Sequence, residues 1–148
     1  LGVIMSYLWH DGRFWLTAGA HRHRIAAVRR DPRVSVVVTS TGTKLGGGRS
    51  LTAKGRCTIH EDPDTKGWFY PAFSRHLHKD EKMARWLEEF LDSPLRVVLE
   101  VIPDKWITYD GTKMALDSVG KLPSERKGEP LESDTVRLKR ELVRRGLS

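Results

Sequence analysis

The chain has a single cysteine, Cys57, among its 148 residues. No internal disulfide can form, and a reducing cytoplasm is the expected setting. No apolar run approaches the roughly 18–20 residues of a membrane span. The opening Leu1-Gly2-Val3 lacks the basic start and long apolar stretch of a signal peptide. The first residue is not Met and the chain enters at once on a strand-like pattern, which leads to the expectation of a missing N-terminal segment. There is no G-x-S-x-G elbow and no triad order for a serine or cysteine nucleophile. Metal-ligand spacing is also wanting. His21-x-His23 has no carboxylate or cysteine companion, and His76-x-His78 lies in a helical stretch where residues two apart face away from each other. The carboxylate pairs Asp80-Glu81 and Glu88-Glu89 read as a solvated helix face. Gly46-Gly47-Gly48 lacks the Lys-Ser/Thr end of a phosphate loop and reads as part of an exposed loop.

What is present is a globular composition, 39% hydrophobic and 30% charged, with a net charge of +7. The length suits one domain with a real core. Excess positive charge admits nucleic acid, an anionic surface, or anionic cofactors and substrates as partners. No zinc-finger spacing, recognition helix or RNP-like aromatic motif accompanies it, so nucleic acid is not the expected partner.

Hydrophobic periodicity predicts a strand over Val3–Trp9, an Asp11-Gly12 hairpin turn and a return strand over Arg13–Ala18. A two-turn helix follows over 22–30, stopped by Asp31-Pro32. The β-branched run Val34–Thr39 and the stretch Ser50–His60, bent near Gly55, read as strands. Trp68, Phe69, Ala72 and Phe73 fit a helix or helical turn interrupted by Pro71. Met83, Leu87, Phe90 and Leu91 define an amphipathic helix that starts near Asp80 and ends before Pro94. Two more strands, Leu95–Ile102 and Lys105–Tyr109, are separated by Pro103-Asp104. Residues 117–134 read as an extended arm. A basic helix, Thr135–Arg145, capped by Ser133 or Asp134, carries a narrow apolar stripe suited to docking on a second copy. Many hairpins and no regular βαβ alternation favour a mainly β (α+β) fold, a six-stranded antiparallel barrel with peripheral helices. The barrel domain is assigned to residues 1–116, with 117–148 an arm and helix of the same unit.

One stretch stands out. Arg22, Arg24, Arg29, Arg30 and Arg33 fall within twelve residues, and His21-Arg22-His23-Arg24 sits where a strand gives way to a helix. Backbone N–H groups and the positive end of the helix dipole gather there, so an anion such as phosphate can bind.

The order SYLWHDGRFWLTA, basic turn, VRRDPRVSVVV, LTAKGRCTIHED resembles the pyridoxamine 5′-phosphate oxidase-like, flavin-binding split β-barrels, including their deazaflavin-using relatives. The resemblance runs over roughly residues 3–60 and more weakly through 95–113. It implies a six-stranded split barrel binding FMN or, alternatively, a deazaflavin coenzyme, and hydride transfer to or from a small organic substrate. It implies a homodimer with the cofactor at the interface. Arg24 falls where the family usually has a phosphate-gripping lysine, with Arg22 and His23 beside it. Thr17 and Ala18 fall on the strand end along the phosphate and ribityl chain. Met5, Ser6, Tyr7 and Leu8 fall on the strand whose backbone passes the ring. Trp68, Trp106 or Lys113 of a partner chain could reach the ring or substrate. The substrate-binding C-terminal segment of true pyridoxamine-phosphate oxidases is not found, so that specific activity is not expected. The competing expectations are a cofactor-binding protein without turnover and, further off, a basic nucleic-acid binder.

Overall fold

A computed structural model describes residues 2–129 and 132–147. The chain divides into two compact units, Leu1–Tyr109 and Asp110–Ser148.

The first unit holds one antiparallel sheet of five strands in the order β1-β2-β5-β4-β3. Its strands are β1 (Leu8–His10), β2 (Arg13–Gly19), β3 (Arg33–Thr39), β4 (Arg49–His60) and β5 (Arg96–Asp110). Helix α1 (His23–Arg30) joins β2 to β3, and α2 (Pro63–Leu77) and α3 (Glu81–Leu91) lie between β4 and β5. The expected mixed α+β antiparallel fold is present, but with five strands rather than six and with the sheet open.

The missing strand is a merger. Leu95–Ile102 and Lys105–Tyr109 form one strand that runs straight through Pro103. Proline withholds only one ladder donor, and a strand tolerates that at an edge or bulge. Here β4 comes unusually close: a Cβ on Gly55 would lie 2.1 Å from the Ile102 carbonyl oxygen. Only glycine fits this approach, which accounts for the irregularity read near Gly55.

At the other end of the sequence the expected strand Val3–Trp9 shrinks to Leu8–His10. Residues 2–7 take no regular structure, because their alternating apolar side chains are used elsewhere: Met5 and Tyr7 pack on the core while Ile4 is wholly exposed. The hairpin itself forms as read, with Asp11 at φ 49° and Gly12 at φ 71°.

Side-chain alternation in β2 and β5 builds two cores from one ladder. Phe14, Leu16 and Ala18 join Val97, Leu99, Val101, Ala53, Cys57 and Ile25 on the inner face. Trp15 and Val98 point the other way and are covered by Phe69, Tyr70, Phe73 and Leu91. Helix α2 does not break at Pro71, contrary to the sequence expectation. A mid-helix proline costs about 3 kcal/mol, and burying three aromatic rings on this helix offsets that at roughly 1.5–3 kcal/mol per large apolar side chain. Asp62 and Asp80 cap α2 and α3 by accepting from the N–H groups of Thr65 and Met83.

The second unit contains α4 (Gly111–Ser118), a 3-10 turn at Ser124–Arg126, and α5 (Glu132–Arg145). The sequence reading missed α4, where a turn was expected; Asp110 caps it through the N–H groups of Thr112 and Lys113. The terminal helix begins at Glu132, three residues before the expected start at Thr135, so Ser133 and Asp134 lie inside it, and Pro130 and Leu131 of the expected arm lie outside the described residues.

Candidate functional site

The β2–β5 ladder ends where Gly19 pairs with Arg96. Beyond it the chain turns: Arg22 N–H donates to Gly19 O (3.0 Å), and Ala20 N–H donates to Leu95 O (2.7 Å). These bonds hold the basic turn against the start of β5. Arg22 is the N-cap of α1 and makes no side-chain capping bond, and the first turn of α1 has no acidic residue. The positive end of the helix is therefore left without a counter-charge of its own.

A cleft of about 300 Å³ opens at this point. Met5, Ser6, Thr17, Ala18, Arg22 and Arg24, all named from the sequence, line it. Ile4, Gly19, Phe73, Leu77, Leu91 and Arg96 complete the wall. The lining has three arginines and no carboxylate. Such a surface suits an anion with an elongated body, and its volume sits at the low end of ligand sites, which are typically about 300–1,000 Å³.

Three residues named from the sequence lie elsewhere. Tyr7 packs on the inner core with its ring edge-on to Phe14 at 5.3 Å. Leu8 packs against the outer core. His23 opens α1 as an exposed side chain outside the cleft lining. Of the residues read as reaching a partner's site, Trp68 is edge-on to Trp15 at 4.7 Å, and Trp106 meets Trp9 at 6.0 Å. Lys113 is in α4 of the second unit.

The sequence reading missed Arg96. It lies in the largely apolar stretch Leu95–Ile102, far along the chain from the basic turn, and the Gly19–Arg96 register reveals it. It also missed a polar feature behind the wall. Tyr70 is 2% exposed, and its hydroxyl completes no hydrogen bond of ordinary geometry. Burial raises its pKa, while the Thr17 hydroxyl facing it and the Arg96 charge act in the opposite sense. Thr17 Oγ1 itself donates to Val97 O (3.0 Å).

Cys57 is buried, and its thiol is pushed up to about 11 by burial, helped by the Glu100 charge. It stays protonated at neutral pH and behaves as a small core residue. Among the described residues no group of three or more His, Cys, Asp or Glu is placed to hold a metal ion, and no helix is long and apolar enough to cross a membrane.

The family model for pyridoxamine 5′-phosphate oxidase matches residues 2–110. The chain belongs to this family. The match spans the first unit and the whole of β5, so it includes every residue lining the cleft. Solved structures agree on the fold. The conserved hypothetical protein Rv2991 of Mycobacterium tuberculosis is 20% identical with a TM-score of 0.60, over 87% of this chain and 75% of that one. A Listeria innocua protein provisionally assigned as a pyridoxamine 5′-phosphate oxidase is 22% identical with a TM-score of 0.50, over 70% and 73%. A Bacteroides thetaiotaomicron protein provisionally assigned to 5-nitroimidazole antibiotic resistance is 17% identical with a TM-score of 0.51, over 70% and 64%. No curated protein matches this chain.

Proposed function

We propose that this protein is a flavin- or deazaflavin-dependent oxidoreductase acting on a small organic molecule. The observation that carries the reading is the cleft itself: Arg22, Arg24 and Arg96 around the uncapped end of α1, with no acid in the lining, inside a family named for an oxidase. Arg22 and Arg24 hold the cofactor phosphate by charge-assisted hydrogen bonds. Thr17 and Ala18 flank the chain that follows it. Met5 and Ser6 lie alongside, on a segment that Tyr7 and Leu8 anchor into the two cores. His23 contributes charge near the helix end rather than a contact.

The bound cofactor supplies the hydride chemistry; the protein binds, orients and excludes water. The cleft lining agrees with this division, since it holds no His, Asp, Glu, Lys, Cys or Tyr to act as acid or base. The same fact favours a second reading, a carrier that binds the cofactor without turnover.

At about 300 Å³ the cleft takes the phosphate end of a flavin nucleotide rather than the whole of it. The other wall is assigned to a second copy in a homodimer. Exposed Trp9, Ile102, Trp106 and Ile107 form the kind of apolar surface that association buries. A single buried cysteine fits a cytoplasmic setting.

Titrating the purified protein with FMN and with a deazaflavin coenzyme tests the assignment. One of them binds, with quenched fluorescence, and Arg24→Ala weakens binding about 10- to 100-fold, the share of a charge-assisted bond. Failure of both to bind contradicts it. Reduction of the bound cofactor by a nicotinamide donor separates the enzyme from the carrier.

A further inference from the structure

Helix α3 carries two apolar stripes, and the chain's own core uses one of them. Ala84, Leu87 and Leu91, spaced three and four apart, turn inward: Ala84 and Leu91 are buried, and Leu87 packs on the outer core. Met83, Trp86 and Phe90 repeat that spacing one position earlier, so they run alongside on the flank of the helix. They are 43%, 55% and 57% exposed. The Trp86 and Phe90 rings stack on each other at 5.6 Å and 10°, and Arg96 lies over Phe90. These contacts hold the rings in place without covering them. A solvated helix flank is ordinarily polar; this one presents two aromatic rings and a methionine in the spacing of a helix-pairing seam.

The charges beside this stripe run against the helix itself. Lys82 stands in the first turn and Glu89 in the last, where there is no basic residue. Each sits at the end of the helix dipole that disfavours it. Neither is offset within the chain. Among the described residues, Lys82 and Glu89 have no opposite charge within 4.0 Å, and Arg85, four positions before Glu89, turns to Glu81 instead. A second copy of α3 lying antiparallel supplies what is missing. A two-fold axis beside Trp86 sets that ring against the partner's Trp86, Met83 beside the partner's Phe90, and Lys82 beside the partner's Glu89, twice over. The surface then meets itself with apolar on apolar and opposite charge on opposite charge. A flank that completes itself on reversal fits a second copy of this chain better than an unrelated partner.

We propose that the α3 flank is a self-pairing surface, on which two copies of this chain meet antiparallel through Met83, Trp86 and Phe90 while Lys82 and Glu89 set the register. It uses none of the residues assigned above to the wall that completes the cleft, so it adds one association step to any assembly made there. Two half-exposed rings and a methionine leave on the order of 300 Å² per copy, since an aromatic side chain buries about 150–250 Å² in full. The pair then buries about 600 Å², well under the roughly 1,200 Å² of a stable interface, so the step is weak and concentration-dependent. Sedimentation velocity of the full chain from about 5 μM to about 1 mM tests it. The wild-type chain gains one step that doubles its low-concentration mass. Trp86→Ala, which removes a ring from both sides of the axis, weakens that step at least about tenfold. Lys82→Glu and Glu89→Lys each weaken it about 3- to 30-fold, although each places a charge that the helix dipole favours and so leaves α3 formed. An equimolar mixture of the two charge variants regains the step, and so does the double variant, because both restore opposite charges across the axis. Absence of the step in the wild-type chain overturns the proposal, as does an undiminished step in Trp86→Ala. Charge-variant losses that neither the mixture nor the double variant repairs also overturn it, because they arise within one helix rather than between copies.

Discussion

The two ends of the β2–β5 ladder use the same residue type in opposite ways. At one end Arg13 is ion-paired with Glu100, which is only 5% exposed, and His60 Nε2 lies 2.7 Å from the second oxygen of the same carboxylate. His60 in turn approaches Asp62 at 3.7 Å and lies against Trp15. The Arg13 charge and the Glu100 carboxylate have partners within the protein there. At the other end Arg96 meets Arg22 and Arg24 around a cleft with no acid. Between them the Trp15, Val98 and Phe69 layer seals the face. The difference teaches how to read an arginine. Paired with a buried carboxylate it is part of the scaffold; clustered with other arginines around an opening it awaits a ligand.

Substitutions can break this contrast from either side. The largest effect belongs to the paired end. Glu100→Ala strands Arg13 and His60 and destabilises the fold by about 2–4 kcal/mol in chemical denaturation, a value below that of a fully buried pair because Arg13 is partly exposed. Cofactor affinity of the folded fraction stays within about twofold, since charges at that distance are screened.

Next comes Tyr70→Phe. Removing an unpartnered buried hydroxyl stabilises the free protein by about 1 kcal/mol. Cofactor affinity stays within about twofold, since Tyr70 is buried outside the cleft lining. A variant that is less stable would show that the hydroxyl has a protein partner, with Thr17 the candidate.

The smallest effect is a pH dependence from Cys57. Its thiol is raised from 9.0 to about 11 by burial and by Glu100. The unfolded thiol ionises first, so this contribution is whole below pH 9 and is lost as pH rises towards 11. Comparing stability at pH 8 and pH 10.5 in the protein and in Cys57→Ala checks it: the slope between them is shallower in the variant. At pH 7 thiol reagents leave Cys57 unmodified in the folded state.

Much of the cleft was legible in the sequence because it is local. Arg22, Arg24, Thr17 and Ala18 lie within one strand–turn–helix segment, and Asp31-Pro32 closes that segment where the backbone rule says it should, with Asp31 N–H bonded to Ala27 O. The Asp11-Gly12 hairpin was legible for the same reason. What stayed hidden depends on contacts far apart in the chain. Arg96 enters the cleft only through its pairing with Gly19, 77 positions away by number (96 − 19). Pro103 and Pro71 looked like breaks because proline's local cost is visible in a sequence, whereas the tertiary packing that outweighs it is not. Where the side chains of Tyr7 and Leu8 go was hidden for a related reason: the two cores that take them are assembled from distant strands and helices.

The central claim is that the arginines at the open end bind the cofactor and the arginine at the paired end does not. Parallel titrations of FMN and a deazaflavin coenzyme against Arg24→Ala and Arg13→Gln, each with its folded fraction measured, test it most directly. The account predicts a loss of about 10- to 100-fold in Arg24→Ala and a change within about twofold in Arg13→Gln. Equal losses in the two variants, or a larger loss in Arg13→Gln, would contradict it.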